Sequence, residues 1–183
     1  MHLDVKWLAL ALLMAGPARA QGTTTQDLEV PLDSGTLTIQ NVGPTTHSFN
    51  SLTLTGTTRS NVALTLPEPP VFSISNPGTT SGWSVTLSAT QTDQKLTLDY
   101  APGGGTVSRT SGDRATGDLT VDSTAGGNAL STGIKVLSAP AGTNYGVFQY
   151  SMSSSGWTVS SIPANVAPGN YVWTITATVS NTP

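Results

Sequence analysis

The chain contains no cysteine. No disulfide framework can hold it, and thiol chemistry and cysteine-based metal sites are excluded with it. Charge is scarce as well: Asp, Glu, Lys and Arg make up 9% of the 183 residues, against roughly a quarter in an ordinary domain. Of the two histidines, His2 lies in a segment read below as removed, which leaves His47 as the one imidazole of the mature chain. It stands in a polar stretch, Pro44-Thr45-Thr46-His47-Ser48, and reads as a solvated loop residue rather than a general base. With one His and no Cys, a zinc site of the usual ligand types is excluded. No Gly-x-Ser-x-Gly elbow marks a nucleophile, and Gly103-Gly104-Gly105 lacks the Lys and following helix of a phosphate loop. Asp93 and Asp99 flank a hairpin strand and read as surface residues, not as a glycosidase pair. Asp113, Asp118, Asp122 and Asn128 share a loop-rich region but match no calcium loop, so a solvated turn is expected there. The chain is read as non-enzymatic and free of cofactors.

Long apolar runs are missing with one short exception. Lys6 precedes Trp7 to Met14, a run broken by Gly16-Pro17 and followed by Ala18-Arg19-Ala20. This is the layout of a cleaved export signal, and its apolar part is far shorter than the roughly 20 residues that span a bilayer. Residues 1–20 are therefore expected to be removed before Gln21, giving a secreted chain with no membrane insertion. It is expected to stay on the cell surface by non-covalent binding. The remaining 163 residues carry nine acidic and five basic side chains, a net charge of −4. That balance argues against nucleic acid, which needs clustered Lys and Arg.

What the chain has in abundance is period-2 alternation. Trp83, Val85, Leu87 and Ala89 alternate with Ser84, Thr86, Ser88 and Thr90, which predicts a strand with one buried face. Tyr171, Trp173, Ile175, Ala177 and Val179 alternate with Val172, Thr174, Thr176, Thr178 and Ser180. Shorter runs stand at Leu28-Val30-Leu32, Leu37-Ile39, Leu52-Leu54, Val62-Leu64-Leu66, Phe72-Ile74, Leu96-Leu98-Tyr100, Leu119-Val121 and Phe148-Tyr150-Met152. Turn signals such as Asn76-Pro77-Gly78, Pro102-Gly103-Gly104 and Pro168-Gly169-Asn170 punctuate them. Many short strands at this spacing predict an all-β fold, a single β-sandwich of Greek-key or jelly-roll type. Residues 21–27 are expected to be a flexible leader and residues 28–183 one domain, loosest between Ala101 and Gly133.

The most informative residues are the tryptophans. Trp83 and Trp157 sit in near-identical pentapeptides, Ser81-Gly82-Trp83-Ser84-Val85 and Ser155-Gly156-Trp157-Thr158-Val159. Aromatic rings on a β-surface can stack on sugars, but the parity of Trp83 and Trp173 places each on an apolar face, where core packing is the stronger expectation.

On these residues the chain resembles the WxL domain, a cell-surface module of Gram-positive bacteria. That family carries a proximal Trp-x-Leu motif, which Trp83-Ser84-Val85 resembles with Val85 in place of Leu. It also carries a distal Y-x-x-x-[LIV]-T-W-x-L-x-x-x-P pattern, matched by Tyr171, Ile175, Thr176, Val179 and Pro183. The decisive departure is Ala177, where the family has its second Trp; Trp173 lies on the same face. The resemblance implies a β-sandwich held on the cell wall through peptidoglycan or another cell-wall glycan, alongside other surface proteins. Trp83, Val85, Trp157, Tyr171, Trp173, Ile175 and Pro183 are the resulting candidate wall-binding or motif residues. Two other readings stay open beside it. One is a structural subunit of a surface layer or pilus joined through strand edges. The other is a secreted carbohydrate-binding module using an exposed Trp157.

Overall fold

The computed structural model describes residues 35–78, 81–91, 95–112, 119–121, 128–142 and 145–181. The expected export segment, the leader, the Leu28–Leu32 run, Asp93, Asp113, Asp118, Asp122 and Pro183 lie outside the described residues, as does the side chain of Asn128.

Period-2 residues pair wherever a partner strand is available to bury one face. The result is all-β and sandwich-like, with three antiparallel sheets around one core. The strands are β1 (Thr38–Val42), β2 (Arg59–Leu64), β3 (Val71–Asn76), β4 (Trp83–Gln91), β5 (Leu98–Tyr100) and β6 (Thr106–Ser111). They continue with β7 (Thr120–Val121), β8 (Asn128–Ala129), β9 (Ile134–Ala139), β10 (Gly146–Ser151), β11 (Trp157–Ile162) and β12 (Trp173–Ser180). The first sheet has the order β1-β3-β10-β6, the second β2-β11-β5-β8 and the third β12-β4-β9-β7.

The first two sheets are halves of one bent ribbon. Three stretches of chain run through both: β2 into β3, β10 into β11, and β5 into β6. Each turns at the same level, at residues 65–70, 152–156 and 101–105. The turns are tied to one another by Leu66 N–H to Ser154 O (2.8 Å), Met152 N–H to Pro70 O (3.1 Å) and Ala101 N–H to Gly156 O (2.9 Å). Such a corner leaves ladder groups without their usual partners, and these cross-bonds satisfy them. Gly156 takes a φ of +86° there, and a Cβ on it would stand 2.6 Å from Ala101 O. Only glycine fits both conditions.

The third sheet covers the ribbon. Trp83 at the head of β4 packs on Phe148 of β10, ring centroids 6.0 Å apart. Val85, Leu87, Val136, Leu137 and Ile74 are sealed in the same core.

Several expectations need correcting. The run Leu52-Leu54 forms no strand, and both leucines are exposed; alternation without a ladder partner buries nothing. Much of the stretch from Ala101 to Gly133 lies outside the described residues. It also holds two elements that the alternation does not predict, the corner turn Pro102–Gly104 and the six-residue β6, whose Thr and Ser side chains hide it from a hydropathy reading. Asp99 is buried rather than at the surface, and its Oδ2 accepts a 2.6 Å hydrogen bond from Ser160 Oγ.

Candidate functional site

A line of rings leads from the core to the surface. Tyr100 and Trp157 stack with centroids 4.3 Å apart, Phe49 meets Trp157 edge-on at 5.4 Å, and Phe49 meets Trp173 edge-on at 6.5 Å. Trp157 is 1% exposed and its Nε1–H donates to Ser153 O at 2.8 Å. Trp83 is fully buried. Neither ring can touch a ligand, so the direct-contact reading of Trp83 and the exposed reading of Trp157 are both corrected to core packing. Val85 is fully buried beside them. The physical reason is the one parity gave for Trp83, and Trp157 falls into line because it opens β11 on the inner face with Val159.

Phe49 is placed by His47. The imidazole Nδ1 lies 2.6 Å from Glu68 O and Nε2 lies 3.0 Å from Pro44 O. Asn50 N–H adds a bond to Thr65 O at 3.0 Å. The ring thus ties the 44–50 loop to the corner loop at Glu68, a structural clasp more specific than a solvated loop histidine. Tyr171 closes the turn before β12, its hydroxyl donating to Ala167 O at 2.7 Å. Ile175, Ala177 and Val179 lie half-buried on the inner face of β12, with Ala177 opposite Leu87 of β4.

Trp173 is the motif tryptophan that borders open space. It is half-buried, and its Nε1–H donates to Leu96 O at 3.4 Å. With Ala89, Thr90, Gln91, Leu96, Thr97, Leu98 and Ser131 it lines a hollow of about 330 Å³. Gln91 Oε1 accepts from Leu96 N–H at 2.9 Å, which fixes the amide on the hollow's wall. Among the described residues, no charged side chain lines the hollow. A neutral wall of hydroxyls and an amide beside an indole is suited to a neutral polar ligand, a sugar above all. Among the described residues, no three of His, Cys, Asp or Glu gather where they could hold a metal ion. Sequence reasoning named Trp173 but missed Gln91, Thr97 and Ser131, which come from the end of β4, the loop before β5 and the turn at 130–132 and share no local signal.

No family model, curated protein or solved structure matches the chain.

Two tyrosines behind Trp157 carry an unusual polar arrangement. The Tyr100 hydroxyl accepts from Ser153 N–H at 2.8 Å. The Tyr150 hydroxyl is fully buried beside it and makes no hydrogen bond of good geometry. Burial raises the pKa of both hydroxyls, and for Tyr150 the neighbouring Tyr100 raises it further. Raised values stabilise the fold at every pH below the unfolded tyrosine value near ~10, and that stability is lost as pH climbs past it toward the folded values. Phenolate absorbance from these two residues is therefore expected only together with unfolding in an alkaline titration. Tyr150→Phe removes a buried hydroxyl whose polar neighbour is the Tyr100 hydroxyl, and is expected to change stability by no more than about 1 kcal/mol, read from the urea midpoint. A loss of more than that amount would show that the hydroxyl is bonded after all.

Proposed function

We propose that the chain is a non-catalytic cell-surface protein that attaches non-covalently to cell-wall glycan, peptidoglycan foremost, through the hollow beside Trp173. The observation that carries this reading is the placement of a half-exposed indole on an uncharged, hydroxyl-rich wall. The resemblance of Trp83, Val85, Tyr171, Ile175, Thr176 and Val179 to the WxL motifs supports the same compartment and ligand. In this reading the buried members of the motif shape the domain, and Trp173 makes contact in place of the ring missing at Ala177.

Pelleting with purified sacculi tests it. Trp173→Ala is expected to weaken binding about tenfold, the loss typical of an aromatic anchor worth somewhat over 1 kcal/mol. Because Trp173 also packs on Phe49, a second variant is needed. Ser131→Arg fills the hollow from an exposed position and should weaken pelleting with the fold intact by circular dichroism. Undiminished pelleting by both variants removes the hollow as the contact, and release of soluble muropeptides by the pure protein overturns the non-catalytic assignment.

A further inference from the structure

A sheet edge exposes a row of backbone N–H and C=O groups, and monomeric proteins guard such rows with short strands, charges, prolines or irregular backbone. Among the described residues, five of the six sheet edges fit that rule or come close to it. Strands β7 and β8 have two described residues each. Strand β6 carries Arg109. Strand β2 opens on Arg59 and places Asn61 at a φ of +52°, which breaks its run. Strand β1 has five residues and ends at Gly43, with a φ of +89°.

The sixth edge is different. Strand β12 has eight residues, Trp-Thr-Ile-Thr-Ala-Thr-Val-Ser, with no charge and no proline. It pairs with β4 residue for residue from Trp173↔Gln91 to Ser180↔Ser84, without a bulge. Among the described residues it has a ladder partner on that side alone. Strand β1 comes near but pairs only with β3, and residues 35–37 stand off from Val179–Asn181 across an open cleft of about 420 Å³. The inner-face residues Trp173, Ile175, Ala177 and Val179 all remain half-buried, so another strand alongside would cover apolar surface.

We propose that β12 is a seam through which two copies of this chain pair edge to edge about a two-fold axis. The partner follows from the strand's own sequence. An antiparallel two-fold centred on Thr176 sets Thr174 against Thr178 on the outer face, and Ile175 against Ala177 and Trp173 against Val179 on the inner face. A two-fold centred on Ala177 sets Thr176 against Thr178 and Ile175 against Val179, but leaves Trp173 opposite Asn181, so the register centred on Thr176 is the better matched. Threonine pairs and apolar pairs are favourable cross-strand neighbours. Charge points the same way: the chain is net acidic, yet no residue from Tyr171 to Pro183 is charged. Two copies therefore meet at this seam without the like-charge repulsion that other faces bring. A two-fold contact closes on itself and gives a dimer, not a filament. This inference does not depend on wall binding.

Sedimentation of the mature protein across a range of concentrations tests it. A monomer–dimer equilibrium is expected, and the double substitution Thr176→Lys with Thr178→Lys should weaken self-association at least tenfold. Both threonines are exposed and face uncharged Ser88 and Thr86 on β4, so the variant should keep its circular dichroism. The cysteine-free chain provides a second readout independent of that variant's folding. Thr176→Cys should cross-link into dimers with a short thiol-reactive linker, and Ser108→Cys on the β6 edge should not. A wild-type chain that stays monomeric at every concentration means the edge is covered within the chain or left bare, and overturns the proposal. So does a dimer that survives the lysine pair, or a ladder of higher oligomers.

Discussion

Trp157→Ala is expected to cost about 4 kcal/mol of stability, the scale measured for large aromatic truncations in packed cores. The side chain loses its stack on Tyr100, its edge contact with Phe49 and its hydrogen bond to Ser153 O. The space cannot collapse easily, because both flanking residues, Leu64 and Tyr100, are held in ladders with Trp157 itself. A small domain has only about 5–15 kcal/mol in all, so urea unfolding of this variant should begin near zero denaturant. Trp83→Ala is expected to fall in the same range. The phenylalanine variants separate the two sites. Trp157→Phe leaves Ser153 O without its donor, whereas Trp83 Nε1 has no partner to lose. Trp157→Phe should therefore cost about 1 kcal/mol more than Trp83→Phe. Equal costs would mean that the Ser153 bond contributes nothing net.

Gly156→Ala is the second large effect, about 3 kcal/mol by urea unfolding. About 1–2 kcal/mol comes from holding a residue with a Cβ in the left-handed region. The remainder comes from the 2.6 Å approach of that Cβ to Ala101 O, which must push apart two turns bonded at 2.9 Å. Gly56→Ala is the control: its φ is +72° but nothing lies within 4 Å of its Cβ position, so only the conformational part should appear. A Gly156 variant no worse than the Gly56 variant would show that the corner yields.

Much of the strand content was readable because burial on one face imposes a period of two. Trp83 to Ala89, Phe72 to Ile74, Phe148 to Tyr150 and Trp173 to Val179 all follow it, and all became strands. Strand β9 escaped because Val136 is an extra residue opposite the Val85–Thr86 step of β4, so Val136 and Leu137 are both buried and the period breaks. Strand β6 escaped because it is an edge strand with a single half-buried apolar residue, Val107. The corner was invisible for another reason. Pro67, Pro69 and Pro70 announce a break, but nothing local says that residues 101–105 and 152–156 break at the same level. The hollow beside Trp173 is likewise a product of tertiary placement, joining residues 89–91, 96–98, 131 and 173. The two tryptophan pentapeptides were legible as a repeat, yet their meaning is structural: each starts a strand and sinks an indole.

The order of strands in the bent ribbon has a kinetic consequence. Its central stretch, flanked on both sides in both sheets, is β10 and β11, and these come from residues 146–162. Until that last fifth of the polypeptide is present, β1 and β3 on one side and β6 on the other have nothing between them, and β2 and β5 are equally separated. Most pairings join residues far apart in sequence, the topology that folds slowly. A chain still being made or threaded therefore has no finished sheet to trap it. Closure of the ribbon is a late event, reached only when residues 146–162 can enter between strands already present on either side.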